Sequence, residues 1–181
     1  SCLVNPRACN ETTLQYLPIP QGQQGKRIGV VGAGPAGLAF ATVAAQRGHR
    51  VTLFDAGSEI GGQFNLAKRV PGKEEFHETL RYYRTMLNKL GVDLRLNTPV
   101  DVATLKAEGF DEVVVATGIT PRTPDLPGIT HPMVVPYIDA ILVRKPIGRR
   151  VAILGAGGSG FDVAELITHA GVSASPDVDV F

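Results

Sequence analysis

Short apolar runs alternate with segments of helical periodicity along most of the chain. Arg27–Val31 and Val51–Phe54 are rich in β-branched residues, as is typical of strands buried on both faces of a parallel sheet. Between them, Pro35–Arg47 has the small and apolar residues of a packed helix, and Gly48 follows as a helix stop. The pattern therefore predicts one β-α-β unit.

The alternation continues downstream and returns near the end of the chain. An amphipathic helix is predicted at Lys73–Leu90, and strands are predicted at Val92–Leu96 and Glu112–Ala116. A Pro- and Gly-rich connector covers Gly118–Pro136, after which a strand, a turn and a helix recur over Arg150–Ala170. We predict an α/β fold with a mainly parallel sheet and helices on both faces.

Composition and charge exclude several classes of protein. The 181 residues include 18 Lys+Arg and 17 Asp+Glu, so the chain lacks the basic excess expected of a nucleic-acid binder. No apolar run reaches the roughly 18 residues of a membrane-spanning helix, and two cysteines are too few for a disulfide scaffold. Because the chain opens at Ser1 without a leader and stops at Phe181 within a pattern, we expect a fragment of a longer protein.

The first candidate binding motif is a glycine-rich turn between the first strand and the first helix. Gly32 permits a sharp turn, Gly34 lets a pyrophosphate approach the backbone, and Gly37 lets the helix pack on the strand. The helix N-terminus offers free N–H groups to the phosphates. Asp55 ends the second strand, 18 residues beyond Gly37, where its carboxylate can accept hydrogen bonds from ribose hydroxyls. These features predict a dinucleotide site.

The same turn recurs near the end of the chain. Gly155, Gly157 and Gly160 repeat the glycine spacing after the second predicted strand-turn-helix. Asp177 and Asp179 lie at about the right separation for a second ribose acid, but the surrounding residues favour a solvated loop. The two interpretations of these carboxylates stay open.

Two such turns in one chain suggest two dinucleotides. A nicotinamide cofactor that delivers hydride to a flavin needs one site for each. Val113–Gly118 fits this arrangement, because a buried strand ending in the small residues Ala116 and Gly118 can come up beneath a bound flavin.

These motifs together resemble the two-dinucleotide flavoprotein reductases, and more closely the bacterial-type NADPH-dependent 2,4-dienoyl-CoA reductases. The resemblance covers essentially the whole chain. It rests on several segments: Ser1–Pro6, Gly32–Gly37, Asp55, Glu59–Asn65, Pro71–Phe76, Ala116–Gly118 and Gly155–Asp162.

The resemblance implies a Rossmann-like FAD/NAD(P)-binding domain within a larger enzyme. Residues 1–25 would be a lead-in from an iron-sulfur region, 26–145 the FAD-binding core, and 146–181 the truncated start of the NADPH-binding domain. A preceding barrel would hold FMN, the acyl-CoA substrate and the acid-base residues, so no catalytic residue is expected in this chain. The implied reaction is dienoyl-CoA reduction in the β-oxidation of unsaturated fatty acids, in the cytoplasm.

The resemblance also implies roles for individual residues. Cys2 would be one of four ligands to a [4Fe–4S] cluster, its three partners lying before Ser1, whereas Cys9 matches no ligand and would be a free thiol. The FAD contacts carried over are Ala36, Asp55, Gln63, Lys73 and Val100. Lys73 could instead be a solvated surface lysine, and Val100 a simple core residue.

An alternative of a different class is a non-catalytic nucleotide-binding module. In some amine dehydrogenases that resemble this family, the first site holds ADP and the second is idle. A redox domain needs room for a flavin ring beside Ala116–Gly118 and an intact second turn, whereas an ADP module needs neither. The intact Gly155–Gly160 turn favours the redox interpretation.

Overall fold

The computed structural model describes residues 5, 7–175, 177 and 179, which fold into two compact units. The first unit comprises the chain up to Gly62 together with Thr79–Gly118, and the second comprises Gln63–Glu78 together with the chain from Ile119. The helices are α1 Pro35–Gln46, α2 Phe64–Ala67, α3 Phe76–Lys89, α4 Val102–Glu108, α5 Tyr137–Ile141 and α6 Gly158–Thr168. The strands are β1 Arg27–Val31, β2 Arg50–Phe54, β3 Asp93–Arg95 and β4 Glu112–Val115.

All four strands lie in one parallel sheet in the first unit. Their order is β3-β2-β1-β4, with Val30 opposite Leu53 on one side and opposite Val114 on the other. Parallel neighbours require crossover connections, and α1 supplies the one between β1 and β2. The predicted α/β fold with a parallel sheet is therefore confirmed.

The core of the first unit lies between this sheet and its helices. Val30 and Leu53 of the sheet are fully buried, as are Leu38 and Ala41 of α1, which packs on β1 and β2. On α3, Leu80, Tyr83 and Leu87 form the buried face, at the spacings of three and four that an amphipathic helix needs. Burial raises the pKa of the Tyr83 hydroxyl above its usual value.

An aromatic pair covers part of the sheet close to β1. The rings of Phe54 and Phe110 meet edge to face, with centroids 5.9 Å apart. A side chain at Gly29 would begin 2.7 Å from the Phe110 ring, so glycine at that strand position makes room for the ring. The preceding helix α4 is capped by Asp101, whose carboxylate accepts from the Thr104 N–H at 2.8 Å. Hydrogen bonds from the N–H and the hydroxyl of Thr104 lower the pKa of Asp101.

The expectation that β4 is buried is wrong for the described residues. β4 lies at the edge of the sheet, and Val113 and Val115 are 42% and 72% exposed. An apolar run predicts a buried strand only when a second layer covers both of its faces. The described part of the chain leaves these two side chains only partly covered.

The second unit contains α2, α5 and α6. Its core is a small apolar cluster of Ala140, Ile141 and Val163, joined by Leu66. The strand predicted at Arg150–Leu154 is not formed, and its apolar residues are 40% to 75% exposed. A strand needs a paired neighbour to satisfy its backbone, and among the described residues no strand pairs with this segment.

The described residues of the lead-in form no helix or strand, but they are attached to the first unit. The Ile19 N–H donates to the Arg47 carbonyl at 2.9 Å, and Arg47 Nε donates to the Leu17 carbonyl at 3.0 Å. Across the residues that the structure describes, no helix has the length and apolar content needed to cross a membrane.

Candidate dinucleotide sites at two glycine turns

The first glycine turn joins β1 to α1 and could not be built with larger residues. Gly32 has a φ of +108°, and a Cβ there would lie 2.3 Å from the Ala116 carbonyl oxygen. A Cβ at Gly37 would lie 1.8 Å from the Gly32 carbonyl oxygen. Both glycines are therefore required by the fold itself, because each permits an approach that a methyl group would block.

Gly34 differs from its two neighbours in the motif. Its φ is −76°, and the nearest atom to a Cβ there is the Cα of Gly62, at 3.9 Å. The protein alone would accept a side chain at this position. The open space lies at the start of α1, where a ligand can approach the backbone.

The N-terminus of α1 fits an anionic group. Gly34 caps the helix without a side-chain hydrogen bond, and the first turn contains no acidic residue. Ala36 is exposed on that turn. Because the first N–H groups of a helix have no partner within it, a pyrophosphate here would meet free donors and the positive end of the helix dipole. The residues present therefore fit the phosphates of a dinucleotide.

Asp55 closes the turn from the end of β2. Its carboxylate accepts from the Ala33 N–H at 2.6 Å through Oδ2 and from the Gly57 N–H at 2.7 Å through Oδ1. Each carboxylate oxygen has a second lone pair, so the half-buried group can still accept from ribose hydroxyls. Sequence reasoning found Asp55 but missed that it also orders the backbone of the turn.

The remaining predicted residues of the first unit have different surroundings. Ala116 donates its N–H to the Val31 carbonyl at 2.8 Å and lies against the turn at Gly32. Gly118 is exposed with a φ of +78°. Val100 is half-buried, beyond the Thr98 N–H that donates to the Asp55 carbonyl at 2.8 Å. The structure thus brings Gly32, Gly37, Asp55 and Ala116 together around one turn.

The second glycine turn repeats this geometry in the second unit. Gly155 has a φ of +115°, and a Cβ at Gly160 would lie 2.2 Å from the Gly155 carbonyl oxygen. Gly157 caps α6 with a φ of −87°, has no neighbour within 4 Å of a Cβ, and precedes a first turn without acidic residues. The turn therefore forms even though the Arg150–Leu154 segment before it does not form a strand.

The carboxylates near the end of the chain are not arranged like Asp55. Asp177 accepts from the Asp179 N–H at 3.0 Å, and both side chains are exposed. Neither residue ends a strand. This geometry favours the interpretation as solvated loop charges.

Gln63 and Lys73 lie in the second unit. Gln63 is exposed at the start of α2. Lys73 Nζ forms an ion pair with Asp162 Oδ1 of α6 at 2.5 Å, and both side chains are partly exposed. Asp162 was missed by sequence reasoning, since a pair separated by 89 residues leaves no local signal.

The residues on either side of Lys73 also bond to the end of the described chain. Ser173 Oγ accepts from the Gly72 N–H at 3.3 Å, and Ser175 Oγ donates to Glu74 Oε2 at 2.6 Å. Burial alone would raise the pKa of Glu74, but the hydrogen bonds from Ser175 and Ser173 outweigh it and lower that pKa.

The described residues offer no metal centre. Among them, no group of three or more His, Cys, Asp or Glu side chains is arranged to hold an ion. Cys2 lies outside the described residues, and Cys9 is an exposed free thiol. A [4Fe–4S] cluster needs four protein ligands, and the sequence has two cysteines, so this chain alone does not fit the cluster.

A parallel sheet with a glycine turn leading into a helix, and a second such turn, define a Rossmann-like dinucleotide-binding protein. The family model described as pyridine nucleotide-disulphide oxidoreductase matches residues 26–179. The chain therefore belongs to the pyridine nucleotide-disulphide oxidoreductase family, an oxidoreductase family whose cofactors are FAD and NAD(P).

Similar proteins are named as reductases. The metal reductase of Desulforamulus reducens is 38% identical over 94% of this chain and 26% of its own length. The cinnamate reductase of Clostridium sporogenes is 36% identical over 91% of this chain and 24% of its own length. A 2-naphthoyl-CoA reductase solved with 2-naphthoyl-CoA has a TM-score of 0.83 at 36% identity, over 92% of this chain and 25% of that one. The chain thus spans about a quarter of the relatives that it matches.

Proposed function

We propose that the chain is the FAD- and NADPH-binding portion of a longer flavoprotein reductase. FAD would bind at the Gly32–Gly37 turn and NADPH at the Gly155–Gly160 turn. One observation carries this proposal: in each turn the last glycine, Gly37 or Gly160, is required by its close approach to the carbonyl oxygen of the first glycine, whereas Gly34 and Gly157 meet open space. The fold alone does not need glycine at these two positions, but a phosphate group against the backbone does.

The residues of the first unit would hold FAD in distinct ways. The N–H groups at Gly34 and Ala36 would face the pyrophosphate, and Asp55 would accept from the ribose while it keeps the turn closed. Ala116 and Gly118 would leave room for the flavin ring. When bound, NADPH supplies a hydride and FAD accepts it. Gln63 and Val100 remain predicted FAD contacts.

We further propose a conjugated acyl-CoA as the substrate of the longer protein, reduced as a 2,4-dienoyl-CoA in fatty acid β-oxidation in the cytoplasm. The naphthoyl-CoA and cinnamate reductases support this class, because their named substrates join a carbonyl group to a conjugated π-system. FMN, the [4Fe–4S] cluster with Cys2 as one ligand, and the acid-base residues would belong to the longer protein. This chain supplies none of the residues that act on the substrate.

The test uses the full-length protein, purified under anaerobic conditions. Flavins and nucleotides are released and identified by chromatography, iron is assayed, and NADPH oxidation is followed with 2,4-dienoyl-CoA. We expect FAD, FMN and iron, with oxidation dependent on the dienoyl thioester. Bound ADP in place of FAD, without NADPH oxidation, would support the amine-dehydrogenase-like module instead. FAD with NADPH oxidation but no dienoyl-CoA reduction would contradict only the substrate.

A further inference from the structure

In the second unit, three successive residues bond to helix α6 and to the segment that follows it. We call Gly72–Glu74 the strap. Lys73 pairs with Asp162 in the first half of the helix. Gly72 and Glu74 bond to Ser173 and Ser175 in the segment that follows the helix.

The strap gives α6 and the segment that follows it three polar contacts in the described structure. The Arg150–Leu154 segment that leads into its glycine turn forms no strand, and open space surrounds Gly155 and Gly157. Apolar support comes from Val163, which packs against Ala140 and Ile141. The direction of the free N–H groups of α6 therefore depends on a small apolar cluster and on the strap.

Asp162 lies where its side chain affects the start of the helix. It is four residues beyond Gly158, so it shares a helix face with that residue, and side chains lean toward the helix N-terminus. A carboxylate there would repel a pyrophosphate if it were not neutralised. Lys73 neutralises it at 2.5 Å.

We propose that Lys73 and Asp162 are positioning residues for the nicotinamide dinucleotide at the Gly155–Gly160 turn. This rests on the proposed function of that turn. It also departs from the resemblance, which assigns Lys73 to FAD. The pair fixes the helix whose N–H groups receive the pyrophosphate and cancels the nearby negative charge.

The test measures NADP⁺ affinity by calorimetry in the full-length protein. Lys73→Met should raise the dissociation constant at least threefold, because it leaves the Asp162 carboxylate unneutralised near the pyrophosphate. The double variant Lys73→Met/Asp162→Ala should bind more tightly than Lys73→Met alone, because the repelling carboxylate is then absent. Lys73→Arg should bind like wild type, since it restores the cation. Glu165→Gln is the matched control, because Glu165 is an exposed acid on the same helix, 3.7 Å from His169.

A second set of readouts separates the possible roles. The melting temperature and the FAD content should stay near wild type in every variant, which a merely structural or FAD-binding role would not allow. NADP⁺ affinity equal to wild type in Lys73→Met would overturn the proposal, with or without loss of FAD, as would a double variant that binds NADP⁺ no more tightly than Lys73→Met. If wild type binds FAD but neither NADP⁺ nor NAD⁺, the proposed function of the second turn fails instead.

Discussion

Glycine serves different purposes at different positions of the two glycine turns. Gly37 and Gly160 have no room for a methyl group, whereas Gly34 and Gly157 have ample room. The sequence motif predicts all four in the same way, because spacing carries no information about what surrounds each Cα. Only the distances separate glycines that the fold requires from those that a ligand would require.

Substitution of Gly34 by alanine should separate binding from folding. The backbone there is at an ordinary φ of −76°, and a methyl group would contact nothing closer than 3.9 Å, so we expect the free energy of unfolding to change by no more than about 0.5 kcal/mol. FAD binding should be strongly reduced. Thermal unfolding and the flavin content of the purified protein measure the two effects. Normal flavin content would show that no ligand approaches this backbone.

Asp55→Ala should weaken FAD binding by about 1–3 kcal/mol, the scale of hydrogen bonds to a charged group. The N–H groups of Ala33 and Gly57 would also lose their acceptor, so the turn itself should loosen. FAD affinity measured by fluorescence quenching gives the effect, with NADP⁺ affinity as the internal control. Flavin retention equal to wild type would remove Asp55 from the site.

At the scale of elements, the local sequence pattern predicts whether a helix or strand forms better than it predicts what surrounds that element. The helix predicted over Lys73–Leu90 forms at Phe76–Lys89, and β1 is found where it was predicted. The run at Arg150–Leu154 predicts a strand equally well but forms none, because pairing depends on a neighbour that local sequence does not describe. The exposure of β4 escaped prediction for the same reason, since an apolar run does not reveal whether anything covers it.

Gly160→Ala should distort the second turn, because the methyl group would lie 2.2 Å from the Gly155 carbonyl oxygen. Overpacking of this kind costs about 1–3 kcal/mol, and NADP⁺ binding should be lost with it. Gly158→Ala is the matched control, since a Cβ there meets nothing within 4 Å and the residue begins the same helix. Calorimetric unfolding and NADP⁺ titration check both. Equal behaviour of the two variants would contradict the close approach at Gly160.

At the scale of the whole molecule, we propose two nucleotide sites in this chain and a reaction centre elsewhere in the longer protein. The purified 181-residue chain should therefore contain no iron and should not reduce 2,4-dienoyl-CoA with NADPH, while both cysteines should react with a thiol reagent. Iron assay, thiol titration under denaturing conditions and product analysis measure these properties, with the full-length protein as the positive control. Dienoyl-CoA reduction by the chain alone would mean that its own residues act on the substrate.

The division into two units could not be predicted from the sequence either. Gln63–Glu78 follows the first fingerprint closely along the chain, yet it folds with residues beyond Ile119. Its contacts with those residues include Leu66 against the apolar cluster of Ala140, Ile141 and Val163, and the long-range bonds of the strap. The predicted boundary between residues 145 and 146 stays a prediction.

This discontinuous second unit has a consequence for synthesis on the ribosome. Lys73 emerges 89 residues before Asp162, and at the usual 5–20 residues per second it waits several seconds for its partner. Meanwhile Gly62 and Thr79, on either side, already belong to the first unit. The intervening segment therefore remains a loop on a folding domain. A nascent chain stalled where Gly118 has left the ribosome but Asp162 has not should be cut by protease within residues 63–78 before anywhere in β1 or β2.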